Sequence, residues 1–574
     1  MNFSKTLLLI LIGLFSINIS SAQNESAKLE EVITQVQDHK GYDKEEFPLG
    51  LFTEEFHRRE SVFAVETLKE LETIQKKELS QTEQISLKLL KFKLQETVDF
   101  YKYEAFLNPL LSDAGFHLSL PYQVRDLANY NQVKSYLNKL NAIPVYVDQH
   151  LALLREGIEK GITQPKVIFK GYETTYNDQI VKNAKESYYY SPFNNLPAGL
   201  SLEQRDSVLQ AAEIAIQKNV IPQFKRIKKF FETEYLPKAR NSIGVSEIPN
   251  GREYYQNRLN YYTTLNLTAE EIHQIGLEEV ARINAEMKKI ITEVNFEGSF
   301  DEFIAFLRTD GQFYATSAED LLKEARNISK KIDAQLPEFF KKLPRKPYGV
   351  APVPDAIAPK YTTGRYISAQ DETQPGYYWV NTYDLPSRPL YVLPSLTAHE
   401  AVPGHHLQIS LNAELGDSIP EFRRNFYLSA YGEGWGLYSE FLAEEMGIYT
   451  TPYELFGKLT YEQWRACRLV VDTGIHALGW TREQAVNFLK SNTALSLHEI
   501  NTETDRYISW PGQAVSYKIG EIKIRELRKK AEKELGAKFD IRDFHEVILS
   551  QGTVTLTIME ELVNDYIQKN LTSI

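Results

Sequence analysis

His399-Glu400-Ala401-Val402-Pro403-Gly404-His405-His406 gathers three of the chain's eleven histidines into eight residues, with a carboxylate directly after the first. In the H-E-x-x-H pattern, two imidazoles four residues apart share one helix face and reach one metal. The Glu between them then faces the water held by the metal and serves as general base. The spacing here is longer. His399 and His405 are six apart, a rotation of roughly 240° on a regular helix. His399 and His406 are seven apart and nearly eclipsed, but separated by about 10 Å along the axis. Nitrogens that each lie about 2.0–2.1 Å from one zinc cannot be so distant. A straight helix fails with either partner.

Pro403-Gly404 supplies the interruption. Proline removes a helix hydrogen bond and clashes with the preceding turn, and glycine tolerates unusual dihedrals. The pair predicts a bulge of two extra residues that carries His405 into the position of the second ligand. His405 is preferred over His406, which needs a tighter loop and another ring direction. A third ligand is expected from a downstream helix, where Tyr431-Gly432-Glu433-Gly434-Trp435-Gly436-Leu437-Tyr438-Ser439-Glu440 offers two carboxylates. Glu433 stands among small residues that permit close approach, so it is assigned as the ligand. Glu440, on the same face one level away, is assigned to orienting a ligand histidine. Exchange of these two roles is the alternative. The pairs His498-Glu499 and His545-Glu546 lack a second histidine nearby and are read as ordinary helix surface or core contacts.

Outward from this segment the chain reads as mainly helical. Residues 61–106, 201–234, 268–293, 318–341 and 521–536 carry apolar residues three and four apart between Lys and Glu. Thr268-Ala269-Glu270-Glu271 and Ser317-Ala318-Glu319-Asp320 are helix starts, with a hydroxyl cap and acids in the first turn. From Leu343 to Pro394 the texture changes to Pro, Gly and aromatic residues. Gly376–Thr382 and Leu390–Leu393 are expected there as two short strands, with a turn at 385–389. The expected division is a helical N-terminal part over 23–342 and a site-bearing part over 343–574, within one continuous unit.

The first 22 residues contain one charge, Lys5, then the apolar run Leu7–Ile12, and end in Ser21-Ala22. That is the layout of a secretory signal peptide, too short for a comfortable membrane span. No Cys stands near the cleavage point, so a lipid anchor is not expected. A soluble exported protein, periplasmic or secreted, is expected. Its formal charge of −12, or −13 once Lys5 is removed, argues against nucleic-acid partners. Cys467, the single cysteine, excludes an intramolecular disulfide and reads as helix core.

Three segments together carry a resemblance: Thr397–Gln408, Gly432-Glu433-Gly434-Trp435, and Pro511-Gly512-Gln513-Ala514-Val515-Ser516-Tyr517-Lys518. With them the chain resembles the bacterial domain-of-unknown-function family 885, over nearly its whole mature length. The resemblance implies a helical, zincin-like clamshell, within which the two short strands are expected to form a small β-sheet beside the active-site helices. It is similar in outline to the angiotensin-converting and oligopeptidase groups. In those groups a Gly-His pair closes the motif and a Glu on the next active-site helix is the third ligand, which correspond to Gly404-His405 and Glu433. The two-residue insertion is the departure.

Amide hydrolysis also needs a donor for the developing oxyanion. Tyr517 is the candidate, with Tyr507 as runner-up. Arg506 and Lys518 are candidates to hold a substrate carboxylate. The strand at 377–382 is a candidate edge for an extended peptide, with Asn381 as a contact. His476 is read as a satisfied interior histidine. The expected function is zinc-dependent hydrolysis of short peptides, with Glu400 as base. The alternatives are an amidase or esterase acting on a non-protein substrate, such as a cell-wall fragment, and a metal-bearing peptide-binding protein without turnover.

Overall fold

The computed structural model describes residues 23–355, 357–358, 361–369 and 374–572. The expected signal peptide at 1–22 lies outside them. The helices that build the site's surroundings start where the sequence places caps. Helix α1 (Glu54–Glu72) is capped by Thr53, and α2 (Gln81–Lys102) opens on a reciprocal Ser80–Glu83 capping box. The periodic stretch 61–106 is thus two helices, broken where Ser80 caps the second. Helices α3 (Ala269–Glu293) and α4 (Ala318–Phe339) begin at Thr268 and Ser317, as their sequences predict.

Two large hydrophobic cores result, beside a small cluster of Phe106, Leu107, Leu153 and Ile162. One packs Leu71, Leu90 and Ile332 with Leu407, Trp435 and Ile548. The other packs Phe224 and Met287 with Phe456, Val470 and Ile508. Each core draws on both sides of residue 342, so the change of texture there marks the sheet rather than a boundary between cores. Helix α3 spans the two, giving Ile272 to the first and Ile283 to the second. No helix among the described residues is long and apolar enough to cross a membrane.

The sheet has three strands, β1 (Tyr348–Pro352), β2 (Gly364–Ile367) and β3 (Gly376–Val380), in the order β1-β3-β2. β3 pairs parallel with β1 and antiparallel with β2. The edge expected at residues 377–382 is therefore the sheet's centre, and the edge nearer the site belongs to β2. Asn381 is also corrected. It is fully buried, and its Nδ2 donates to the carbonyls of Ala358, Tyr361 and Thr362, so it shapes the loop before β2 and has no face for a peptide. Leu390–Val392, expected as a strand, is a 3-10 turn that leads into helix α5 (Leu393–Glu400). Pro394 sits in that helix's first turn, where its missing N–H costs nothing. A short buried apolar run carries no periodicity to separate strand from helix.

Candidate metal centre

Helix α5 stops at Glu400, and α6 (His405–Glu414) starts five residues later. Between them Ala401 leaves the helical region at φ −93°, ψ −113°, and Gly404 turns the chain at φ −76°, ψ −128°. The Gly404 N–H donates to the Ala398 carbonyl at 3.0 Å, and Trp435 Nε1 donates to the Pro403 carbonyl at 2.8 Å. A Cβ at residue 404 would lie 1.9 Å from the His399 carbonyl oxygen, so only glycine passes this corner. The interruption expected at Pro403-Gly404 is a break between two helices, not a bulge inside one.

The corner places the His405 ring 4.8 Å from the His399 ring, centroid to centroid. Glu433, on α7 (Ser429–Glu445), points its Oε2 at both, 3.4 Å from His399 Nε2 and 3.6 Å from His405 Nε2. The three residues each offer a ligand atom, all within 4.8 Å of one another. Donors bound tetrahedrally at about 2.0–2.1 Å stand about 3.4 Å apart, which is close to the spacing Glu433 Oε2 already has to each imidazole. His406 faces the other way. Its Nδ1 meets the Tyr366 hydroxyl at 3.0 Å, and its ring packs on Tyr348.

Glu440 lies behind His399. Its Oε1 is 2.7 Å from His399 Nδ1, and its Oε2 accepts from the Ser395 hydroxyl at 2.6 Å. Carboxylate support of this kind fixes the ring so that Nε2 faces Glu433. Burial alone would lower the His399 pKa, but the hydrogen bonds to Glu433 and Glu440 outweigh it and raise it to about 10. Burial would raise the Glu433 carboxyl, but the two imidazoles beside it pull it well below the usual carboxylate range. Such a pocket holds a positive charge between two acids, and a divalent ion meets the same field. Helix α7 comes close through its glycines. A Cβ at Gly436 would lie 2.7 Å from His399 Nε2, and one at Gly434 would lie 2.6 Å from the Gly520 Cα on α10 (Ser516–Leu535).

Glu400 Oε2 accepts the backbone N–H of Tyr366 at 2.8 Å. The register of β2 points that N–H away from β3, so the outer edge of β2 orients Glu400. Tyr517 is on α10, and burial, with the nearby Glu433 charge, raises its phenol pKa. Sequence reasoning missed a second phenol. Tyr427 precedes α7 and donates its hydroxyl to Glu433 Oε1 at 3.0 Å, which leaves Oε2 facing the histidines. No periodicity marks it, because it lies in the irregular link before α7.

Lys518 and Arg506 have other duties. Lys518 is fully buried and forms ion pairs with Glu279, Glu462 and Glu521 at 2.8–2.9 Å, which fastens α10 to α3 and to helix α8 (Pro452–His476). It cannot reach a substrate carboxylate. Arg506, on α9 (Leu497–Ser509), spends its donors on Glu503 and Gln513. Tyr507 donates to Glu503 and accepts from Trp464 and Arg468, leaving no free hydroxyl. His476 is satisfied by the Val245 N–H and the Tyr507 carbonyl, and Cys467 is fully buried.

Solved structures of the same architecture exist. A candidate lipoprotein from Colwellia psychrerythraea superposes with a TM-score of 0.87 at 26% identity, covering 96% of this chain and 99% of that one. A candidate lipoprotein of unknown function from Shewanella oneidensis gives a TM-score of 0.66 at 18% identity, with coverage of 96% and 99%, a likeness of fold alone. No curated protein matches. Residues 37–563 match the family described as "Bacterial protein of unknown function (DUF885)", and the chain belongs to that family.

Proposed function

We propose that this chain is an exported zinc-dependent peptidase with a zincin-like site. The convergence of His399 Nε2, His405 Nε2 and Glu433 Oε2 next to Glu400 carries the reading. Two imidazoles and one carboxylate are a donor set of catalytic zinc sites, which keep a further position open. Zinc, when bound there, supplies a Lewis acid for the scissile carbonyl and makes water more acidic. Tyr366 holds Oε2 of Glu400, so the other carboxylate oxygen is the one to accept the proton of the attacking water. Glu400 then returns that proton to the leaving amine nitrogen. Tyr517, beside Glu433, is the phenol to donate to the developing oxyanion, while Tyr427 gives its proton to Glu433 Oε1 and orients that carboxylate. The outer edge of β2, beside Glu400, is the surface on which an extended peptide would add as a strand. The signal-like segment at 1–22 and the neighbours' description as lipoproteins support export.

Incubation of the zinc-loaded mature chain with a mixed peptide library, read by mass spectrometry, tests this. New termini that appear with zinc and vanish with a chelator are expected. A library left intact by zinc-replete protein would reject peptide hydrolysis.

A further inference from the structure

Helix α8 is buried along most of its length, but one stripe carries Tyr461, Trp464, Arg465 and Arg468, at the spacing of a single helix face. These side chains form a stack that ends on Tyr517. The Arg465 guanidinium lies 4.7 Å from the Tyr461 ring centre and 4.6 Å from Trp464, and Arg468 lies 4.3 Å from Trp464 and 4.5 Å from Tyr517. Aromatic rings thus cover the faces of both guanidiniums. Stacking of this kind leaves the in-plane N–H donors for a planar acceptor.

Arg468 spends Nε on the Tyr507 hydroxyl and Nη2 on Glu503, and Arg465 Nη1 reaches the Tyr461 carbonyl at 3.4 Å, but part of the donor set stays open. Arg468 is 4% exposed and Arg465 8%, yet among the described residues Arg468 Nη1 and Arg465 Nε have no partner. Among the described residues, Glu503 alone neutralises this region closely, and it serves both Arg468 and Arg506. Glu440 is 3.9 Å from Arg465 but is engaged more closely by His399 and Ser395. Three guanidiniums therefore share little more than one available carboxylate. Buried cations with open donors are costly unless an anion completes them. Both ends of the stack touch the metal centre, at Glu440 through Arg465 and at Tyr517 through Arg468. Tyr461, Trp464 and Tyr517 are only half-buried, so the stripe is open to a ligand.

We propose that Arg465 and Arg468 form an anchoring site for a carboxylate of the substrate, which directs the metal centre to peptides carrying a free acid next to the scissile region. This rests on the peptidase reading for its role in turnover, but the anchor itself is a binding site and is tested as one. The probes are Ala-Ala-Phe-Ala as the free acid, its C-terminal amide, and Ala-Ala-Phe-Glu amide. Each is titrated calorimetrically into the zinc-loaded full mature chain carrying Glu400→Gln, so that no turnover intervenes.

A charge-assisted contact predicts that the free acid binds about tenfold to a hundredfold more tightly than the amide. In Arg468→Gln the preference should shrink to about twofold or less, with amide binding unchanged. Arg465→Gln, which disturbs fewer internal hydrogen bonds, gives the same reading if Arg468→Gln does not fold. Tight binding of the Glu amide would assign the anchor to side-chain carboxylates, and tight binding of the acid alone would assign it to the C-terminus. Equal binding of all three probes, binding of none, or an acid preference that survives both substitutions would overturn the anchor. Failed hydrolysis by the wild type would leave these titrations unaffected, so the two claims fail separately.

Discussion

Glu400→Gln is expected to fold, to hold as much zinc as the wild type and to lose about 10²–10⁴-fold in peptide hydrolysis, the range contributed by a positioned general base. Glu400 is not among the three converging donors, so its loss leaves the ion's protein ligands in place. Glutamine keeps an oxygen to accept the Tyr366 N–H, so β2 should stay where it is. What it lacks is the ability to take a proton from water. Hydrolysis rates and zinc content measured on the same preparation separate the two effects. Wild-type rates in Glu400→Gln would remove Glu400 from the chemistry. Lost zinc would instead make Glu400 part of the ligand set.

Gly404→Ala is expected to be strongly damaging to both the fold and the site. The added carbon would sit 1.9 Å from the His399 carbonyl oxygen and 2.5 Å from that of Ala398, both backbone atoms with no rotamer to escape into. Relief requires reopening the corner between α5 and α6. That would move His405 away from His399 and release Trp435 from the Pro403 carbonyl. A loss on the order of 4 kcal/mol is expected, placing it in the tail of single-residue effects. Thermal unfolding with and without zinc measures it, and the stabilisation by zinc should disappear along with much of the stability. A near-native melting temperature with intact zinc stabilisation would show that the corner tolerates a side chain.

Much of this site is legible in the sequence because its constraints are local. Three histidines within eight residues, an acid and a Pro-Gly break force an interrupted helix, and small residues around Glu433 signal a close approach. The helices are legible for the same reason, since Ser and Thr caps followed by acids act within one turn. What escaped needs long-range information. The roles of Lys518 and Asn381 depend on which buried acids and carbonyls the fold brings to them. Leu390–Val392 and the position of β3 at the sheet's centre depend on strand order, which pattern alone does not encode. The Arg465–Arg468 stripe was visible as polar and aromatic residues at helical spacing, but on a helix so apolar elsewhere it reads as core.

Metal content of the purified mature chain after zinc loading and dialysis tests the central claim most directly, with His405→Ala run beside it. One zinc per chain is expected for the wild type, because one set of three donors converges among the described residues. His405→Ala should retain little or none. A wild type that holds no zinc, or a His405→Ala variant that holds as much as the wild type, would contradict the account.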